Sequence, residues 1–146
     1  ENTLNICGGG AIVNAYFLFV NGHNTINIDE KLSLGNEVTF ICQEGTEINI
    51  GSYCQIANNV TIRTSDSHSI LDMQNNRINK AESIRIGNNV WIGQNVIVLK
   101  GVNIADNTVI GCMSVCTKKE YQPNSIYVGS PARLVKTGIH WDARQL

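Results

Sequence analysis

The sequence predicts an all-β chain wound into a parallel β-helix, and two observations carry that prediction. A large aliphatic residue returns at every sixth position through two stretches: Ile50 and Ile56, then Ile86, Ile92, Val98, Ile104 and Ile110. Around these anchors the filling is also regular. A small residue usually follows directly (Gly51, Ala57, Gly87, Gly93, Ala105, Gly111), and a small or β-branched one comes four later (Cys54, Val60, Val90, Val96, Val102, Thr108, Ser114). A 3.6-residue period would scatter the anchors around a helix, and a period of 2 is interrupted by the Asn-Asn and Gly-Asn pairs. A short strand followed by a tight turn fits six residues. Each unit turns two side chains inward, one large and one small, and Gly and Asn supply corners because they tolerate positive φ. Three units close a triangular coil, and coils stack as parallel strands about 4.8 Å apart.

Taken in order along the chain, the N-terminal region fits least. The run AIVNAYFLFV at 11–20 contains Asn14 and is too short to span a bilayer. It also lacks the basic leader of a secretory signal, so the visible sequence reads as cytoplasmic. The chain opens at Glu1 rather than a methionine, which leaves room for native residues upstream. Before Ile28 the repeat is faint. Ile28 and Leu34 fit it, and the gap to Ile50 implies extra residues around 44–47. With 146 residues and a net charge of −1, the whole length 1–146 reads as one domain without the basic footprint of a nucleic-acid binder. Cys7, Cys42, Cys54, Cys112 and Cys116 show no C-x-x-C spacing and lie among apolar neighbours, so they read as small buried hydrophobes.

Between Ile62 and Ile84 no hexad fits, and the repeat then resumes in phase. The intervening RTSDSHSILDMQNNRINKAE is polar and predicts a loop insertion at about 64–83, the kind of segment in which a rigid scaffold carries function. Taken by itself, His68 reads as a solvated loop histidine. After the last hexads, Pro131 ends an extended segment. The residues 134–146, with Leu134, Val135, Ile139 and Trp141 as an apolar stripe, predict a short helix or a tail packed on a coil face.

The stretches DSHSILD, RIN, SIRIGNNVWIGQNVIVLKGVNIADNTVIGCMSVCTK and NSIYVGSPARLVK resemble the hexapeptide-repeat acyltransferases. Among these they look like the sugar O-acetyltransferases of bacterial capsule, O-antigen and polysialic acid, with galactoside and serine acetyltransferases as further relatives. The likeness runs from about residue 50 to Trp141; the N-terminal third shares only the periodicity. It implies a left-handed β-helix, a homotrimer with sites between subunits, and acetyl transfer from acetyl-CoA to a sugar hydroxyl. His68 matches the family's catalytic base. A sugar hydroxyl is a poor nucleophile until its proton is taken, and imidazole exchanges protons near neutral pH. The turn Gly93–Gln94 would supply a backbone N–H to the tetrahedral oxyanion. No G-x-S-x-G elbow is present, so direct transfer is expected.

Asp66 either orients the imidazole or forms a turn in TSDS. Trp91 matches a tryptophan associated with the active site of the polysialic acid enzymes, and would otherwise pack on a coil face. On the cofactor side, Gly111 and Cys112 match the IG-A-G-S stretch, with cysteine where relatives carry alanine. Thr117 and Lys118 match the TK pair at the nucleotide end. Arg133 and Lys136, in SPARLVK, match the cations that meet CoA phosphates, though one extra residue separates them from TK relative to the galactoside enzymes; a solvated basic face is the plain alternative.

Other functional classes meet the same residues differently. N-acetylation of an amino sugar, or acetylation of a small xenobiotic alcohol, would use the same histidine. A zinc enzyme on this fold needs three converging histidines, and His23, His68 and His140 lie far apart in sequence, so no metal is expected. A purely structural β-helix would show regular threonine rows and no reason for the loop. No nucleic-acid or membrane partner is implied. The walls that choose the acceptor come from the loop at 64–83 and from the N-terminal coils, which the repeat does not shape.

Overall fold

The computed structural model describes residues 1–117 and 119–144. All of the regular structure is β, and all but one of the strand pairings are parallel, so the chain winds as a three-faced solenoid. The first face stacks Thr3–Ile6, Thr25–Ile28, Glu47–Ile50, Ile84–Ile86, Asn103–Ile104 and Glu120–Tyr121. The second stacks Ala11–Ile12, Ser33–Leu34, Gln55–Ile56, Trp91–Ile92, Val109–Ile110, Ser125–Val128 and, antiparallel at its end, Arg133–Thr137. The third stacks Ala15–Val20, Val38–Gln43, Thr61–Arg63, Ile97–Val98 and Val115–Cys116.

The predicted anchors form the core. Ile50, Ile56, Ile86, Ile92, Val98, Ile104 and Ile110 are all buried, as are the smaller partners Cys54, Val60, Val90, Val96, Val102, Thr108 and Ser114. Register sets them in columns: Ile28 pairs Ile50, Ile50 pairs Ile86, and Ile86 pairs Ile104. At the C-terminal end the aliphatic column is taken over by Tyr121 and Tyr127, whose rings meet edge-on at 4.6 Å and whose hydroxyls accept the Thr117 and Gln122 N–H groups.

Gly and Asn divide the corners differently from the sequence expectation. The positive-φ residue lies three after each anchor, and it is Asn59, Asn89, Asn95 and Asn107, with φ between 52° and 58°, rather than the glycine next to the anchor that takes it; after Val98 it is Gly101, at 73°. Met113 and Tyr53 hold the same position at 59° and 61°, where a side chain other than Asn costs about 1–2 kcal/mol. The glycine after the anchor serves close approach. A Cβ on Gly87 would stand 2.2 Å from Asp106 Oδ1, and that oxygen accepts the Asn88 N–H at 2.8 Å. Asparagine side chains are laddered too, Asn59 Nδ2 donating to Asn95 Oδ1 and Asn95 Nδ2 to Met113 Sδ.

Coil length varies, which explains where the repeat was faint. Residues stacked on one another are 22 apart in the N-terminal coils (Asn5 on Asn27, Asn27 on Asn49) and 18 apart later (Asn89 on Asn107). The extra length is spent on six-residue third-face strands, Ala15–Val20 and Val38–Gln43, and on the turn Glu44–Gly45, both residues at positive φ. Across the interruption the spacing is 36, as between Asn59 and Asn95. Residues 3–28 therefore coil as well, although their hexads could not be read.

Two expectations are corrected. Of the two alternatives for 134–146 the helix is the one overturned: among the described residues there is none, Arg133–Thr137 is a strand paired antiparallel with Ser125–Val128, and the tail beyond it packs on the coil, where Trp141 Nε1 donates to Asn89 O at 2.6 Å. Cys7 and Cys112 are exposed, since both fall on corners rather than at inward positions. The other three are buried, and burial pushes the Cys54 thiol to about 11 and Cys116 to about 12. Val109, on the outward side of its strand beside the inward anchor Ile110, is buried between its ladder neighbours Trp91 and Ile126.

Candidate active site

The excursion leaves the solenoid at the corner between the third and first faces, after Thr61–Arg63 and before Ile84–Ile86. It is a pinned hairpin. Leu71 and Arg77 bridge antiparallel, Ile78 N–H donates to Ile70 O at 2.9 Å, and Asp72 closes the tip by accepting from the Gln74 and Asn76 N–H groups. At its base Glu82 N–H donates to Thr64 O, and Thr64 is itself buried with its hydroxyl oxygen accepting from Gln43 N–H and the Thr46 hydroxyl.

Charge-assisted bonds tie the hairpin to the coils. Arg77 grips both carboxylate oxygens of Glu44, which also accepts from the Ser65 hydroxyl. The Arg77 guanidinium, followed by Ser65, holds the Glu44 carboxyl at about 2 instead of 4.5. Lys100, from the next coil, donates to Asp66 Oδ2 and to Asn79 O. Lys100, then Asn79, lowers the Asp66 carboxyl below its ordinary value. Buried Asn79 is the hub: its Nδ2 donates to Asp66 Oδ2 at 2.9 Å and to His68 O at 2.8 Å, and its Oδ1 accepts from Ile70 N–H.

His68 therefore has a fixed backbone and an exposed side chain. Asp66, read from sequence as a candidate to orient the imidazole, spends its carboxylate on Lys100 and Asn79 and acts on His68 through the backbone. Glu44, Arg77, Asn79 and Lys100 were missed by the sequence reading. The available signal was weak: a polar loop rich in amides and charge, with partners 33 and 34 residues away.

The remaining predicted residues lie elsewhere. Gly93, Gln94, Gly111 and Cys112 occupy the corner between the second and third faces. The Gly93 and Gly111 N–H groups are used between coils, donating to Ile110 O and Tyr127 O at 2.8 Å. Of the predicted oxyanion turn, only the Gln94 N–H makes no hydrogen bond among the described residues, and Gln94 is exposed. Trp91 stands on the second face, 44% exposed, its ring 5.9 Å from that of Trp141. Thr117 is exposed at the corner after the last third-face strand, Arg133 and Lys136 are exposed on the antiparallel strand, and Lys118 lies outside the described residues. One chain thus carries His68 on one corner and Gln94 and Cys112 on another. Among the described residues no group of three His, Cys, Asp or Glu side chains converges as a metal site, and no helix is long and apolar enough to cross a membrane.

Comparison with known proteins agrees with this architecture. Residues 83–118 match the bacterial transferase hexapeptide (six repeats) model. The chain is 41% identical over 118 residues to the polysialic acid O-acetyltransferase of Neisseria meningitidis, covering 80% of this chain and 54% of that protein. It is 38% identical over 89 residues to the galactoside O-acetyltransferase of Escherichia coli K12, covering 61% of this chain and 43% of that one. The chain thus spans about half the length of these curated relatives. Among solved structures, a polysialic acid O-acetyltransferase superposes with a TM-score of 0.81 at 28% identity, covering 99% of this chain and 89% of that one. A galactoside acetyltransferase in complex with coenzyme A gives 0.64 at 26% identity, covering 92% and 64%.

Proposed function

We propose that this hexapeptide-repeat protein is an acetyl-CoA-dependent O-acetyltransferase acting on a sugar hydroxyl, with a bacterial surface glycan as acceptor and His68 as general base. One observation carries the reading. In an otherwise uninterrupted solenoid that resembles sugar O-acetyltransferases, a histidine is presented to solvent on a hairpin whose backbone is held by Asn79, Asp66 and Lys100. Such support is what a positioned proton acceptor needs, because general-base catalysis depends on geometry first.

The imidazole takes the proton of the sugar hydroxyl as its oxygen attacks the thioester carbonyl carbon. The carbonyl becomes an oxyanion, and a backbone N–H, that of Gln94, donates to it. As the C–S bond breaks, the leaving thiolate receives the proton from the imidazolium, giving the acetyl ester and CoA. Cys112 and Gly111 line the path of the pantetheine arm, and Thr117, Lys118, Arg133 and Lys136 serve the nucleotide and phosphates. The donor places the enzyme in the cytoplasm.

His68 and Gln94 are on different corners of one chain, so the reading includes a homotrimer in which neighbouring copies complete each site. Exposed Tyr16, Leu18, Val20 and Ile97 on the third face give it an apolar surface to pack with. Light scattering at micromolar concentration tests this; a monomer overturns it. For the chemistry, His68→Ala should lower kcat by at least about a hundredfold while CoA affinity and the thermal midpoint stay unchanged. An alanine variant that keeps most of its activity removes His68 from the mechanism. His68→Asn repeats the test should alanine disturb the loop.

A further inference from the structure

Two successive coils break the asparagine rule at one corner, and what replaces it forms a cleft. Along the edge between the first and second faces, the left-handed residues run Lys31, Tyr53, Asn89, Asn107 and Asn124 in successive coils, φ 52–61°. Asparagine holds this conformation cheaply; lysine and tyrosine do not. Strain kept at two adjacent positions is a reason to look for a use. The two side chains meet: Lys31 Nζ donates to Tyr53 Oη at 3.0 Å and lies 4.8 Å from the ring centroid. Tyr53 is 51% exposed, and Lys31 forms no ion pair among the described residues.

On the other side of the same cleft stands Trp141, brought there by the tail and fixed by its indole N–H on Asn89 O. Trp91 continues the aromatic surface beneath it. The outward side chains Ser33 and Gln55 also line it, and the open cleft holds about 310 Å³. That is near the lower end of small-molecule clefts, which run roughly 300–1,000 Å³. The neighbouring acid Asp142 is already satisfied by Arg144, which holds its carboxyl at about 2, so Lys31 is the charge left to meet a ligand; its hydrogen bond to Tyr53, with Glu30 as a lesser influence, raises its basicity.

We propose that this cleft binds a carboxylated sugar residue of the acceptor glycan. The proposal rests on the reading of the protein as a sugar O-acetyltransferase and names its substrate class as acidic. The aromatic rings of Tyr53 and Trp141, beside the hydroxyl and amide of Ser33 and Gln55, suit a pyranose ring, whose faces are apolar and whose rim is hydroxyl. The ammonium of Lys31, already pointing along the tyrosine ring, meets the carboxylate.

The chain has two tryptophans, Trp141 in the cleft and Trp91 with its ring 5.9 Å from it, so intrinsic fluorescence reports on the cleft without any acetyl transfer. The full chain is titrated, free of CoA, with a short sialic acid oligomer and with a neutral glucose oligomer of equal length. The acidic oligomer should shift or quench the emission to saturation, at least about tenfold more tightly than the neutral one. Lys31→Met should abolish that preference, and Trp141→Phe should weaken both. Tyr53→Asn should weaken sugar binding while raising the thermal midpoint, an opposition that a merely structural tyrosine would not give. If the enzyme acetylates these sugars but no oligomer alters the emission, the cleft is not an acceptor site and the transferase reading stands. If the acidic oligomer binds but no sugar is acetylated, the cleft stands and the transferase reading fails. Quenching by CoA that acidic sugar cannot compete with also overturns the proposal.

Discussion

A regular coil and the excursion that interrupts the coils are built from opposite materials. The coil from Ile86 to Val102 buries Ile86, Val90, Ile92, Val96, Val98 and Val102, each at 2% exposure or less. The excursion buries Thr64, Ser65 and Asn79, all polar, and leaves Ile70, Leu71, Met73 and Ile78 exposed. One is held by area removed from water, the other by directed bonds from Glu44, Asp66 and Lys100. The solenoid can therefore stay folded while the loop that carries His68 is tightened or released.

The largest effect on stability should come from the coil. Ile92→Ala removes a fully buried anchor and should cost about 2–5 kcal/mol, read as a lower thermal midpoint. Ile78→Ala, at 64% exposure on the hairpin, should stay within about 0.5 kcal/mol. Equal losses would end the distinction.

Next comes Asn79→Ala, which strips the His68 carbonyl and Asp66 of a common donor. The local cost is about 1–3 kcal/mol, and it should appear as faster amide exchange across 64–83 and a lower kcat, with the global midpoint moving much less. A fall in the midpoint comparable to Ile92→Ala would make the hairpin part of the cooperative core.

Acid should separate the two regions reversibly. The Glu44 and Asp66 carboxyls are depressed in the folded chain, so their contribution is fully present above their ordinary values near 4; that of Glu44 is lost as pH falls toward about 2, and that of Asp66 as pH falls below its ordinary value. Proteolysis within the hairpin should become fast over that window by an acid-active protease, while the β signal in circular dichroism persists. Simultaneous loss of both would contradict the comparison.

The smallest effect is a gain. Met113→Asn places at a left-handed corner the residue used there by other coils, and it offers Asn95 Nδ2 an amide oxygen in place of sulfur. Stability should rise by about 0.5–1 kcal/mol, measured by denaturant midpoint.

The legible parts of the molecule were those where one physical period governs sequence and backbone alike. From Ile84 to Cys116 each strand and turn fill six residues, so the pattern of Ile92 and Val98 is itself the fold. The coils through Phe17 and Phe40 obey the same packing with longer third-face strands, and the changed coil length hid their rhythm, although the two rings stack at 5.0 Å. In the candidate site, His68 stood out because it follows a break in phase. Its supports could not, since Asn79, Glu44 and Lys100 are joined only after the chain turns back on itself. The tail misled for a related reason: LVK reads as either helix or strand until Ser125–Val128 offers it an edge, and β-branched Val135 and Thr137 favour the strand.

That antiparallel strand has a consequence for what this molecule avoids. A stack of parallel coils ends in open hydrogen-bonding groups, and another such coil could add to it, which is the start of a fibre. On the second face the chain folds Arg133–Thr137 across its own last parallel strand, reversing direction and putting Arg133 and Lys136 on the new rim. A further copy arriving in parallel register finds the wrong polarity and two like charges. A protein built from the same logic as a growing filament carries its own stop to growth.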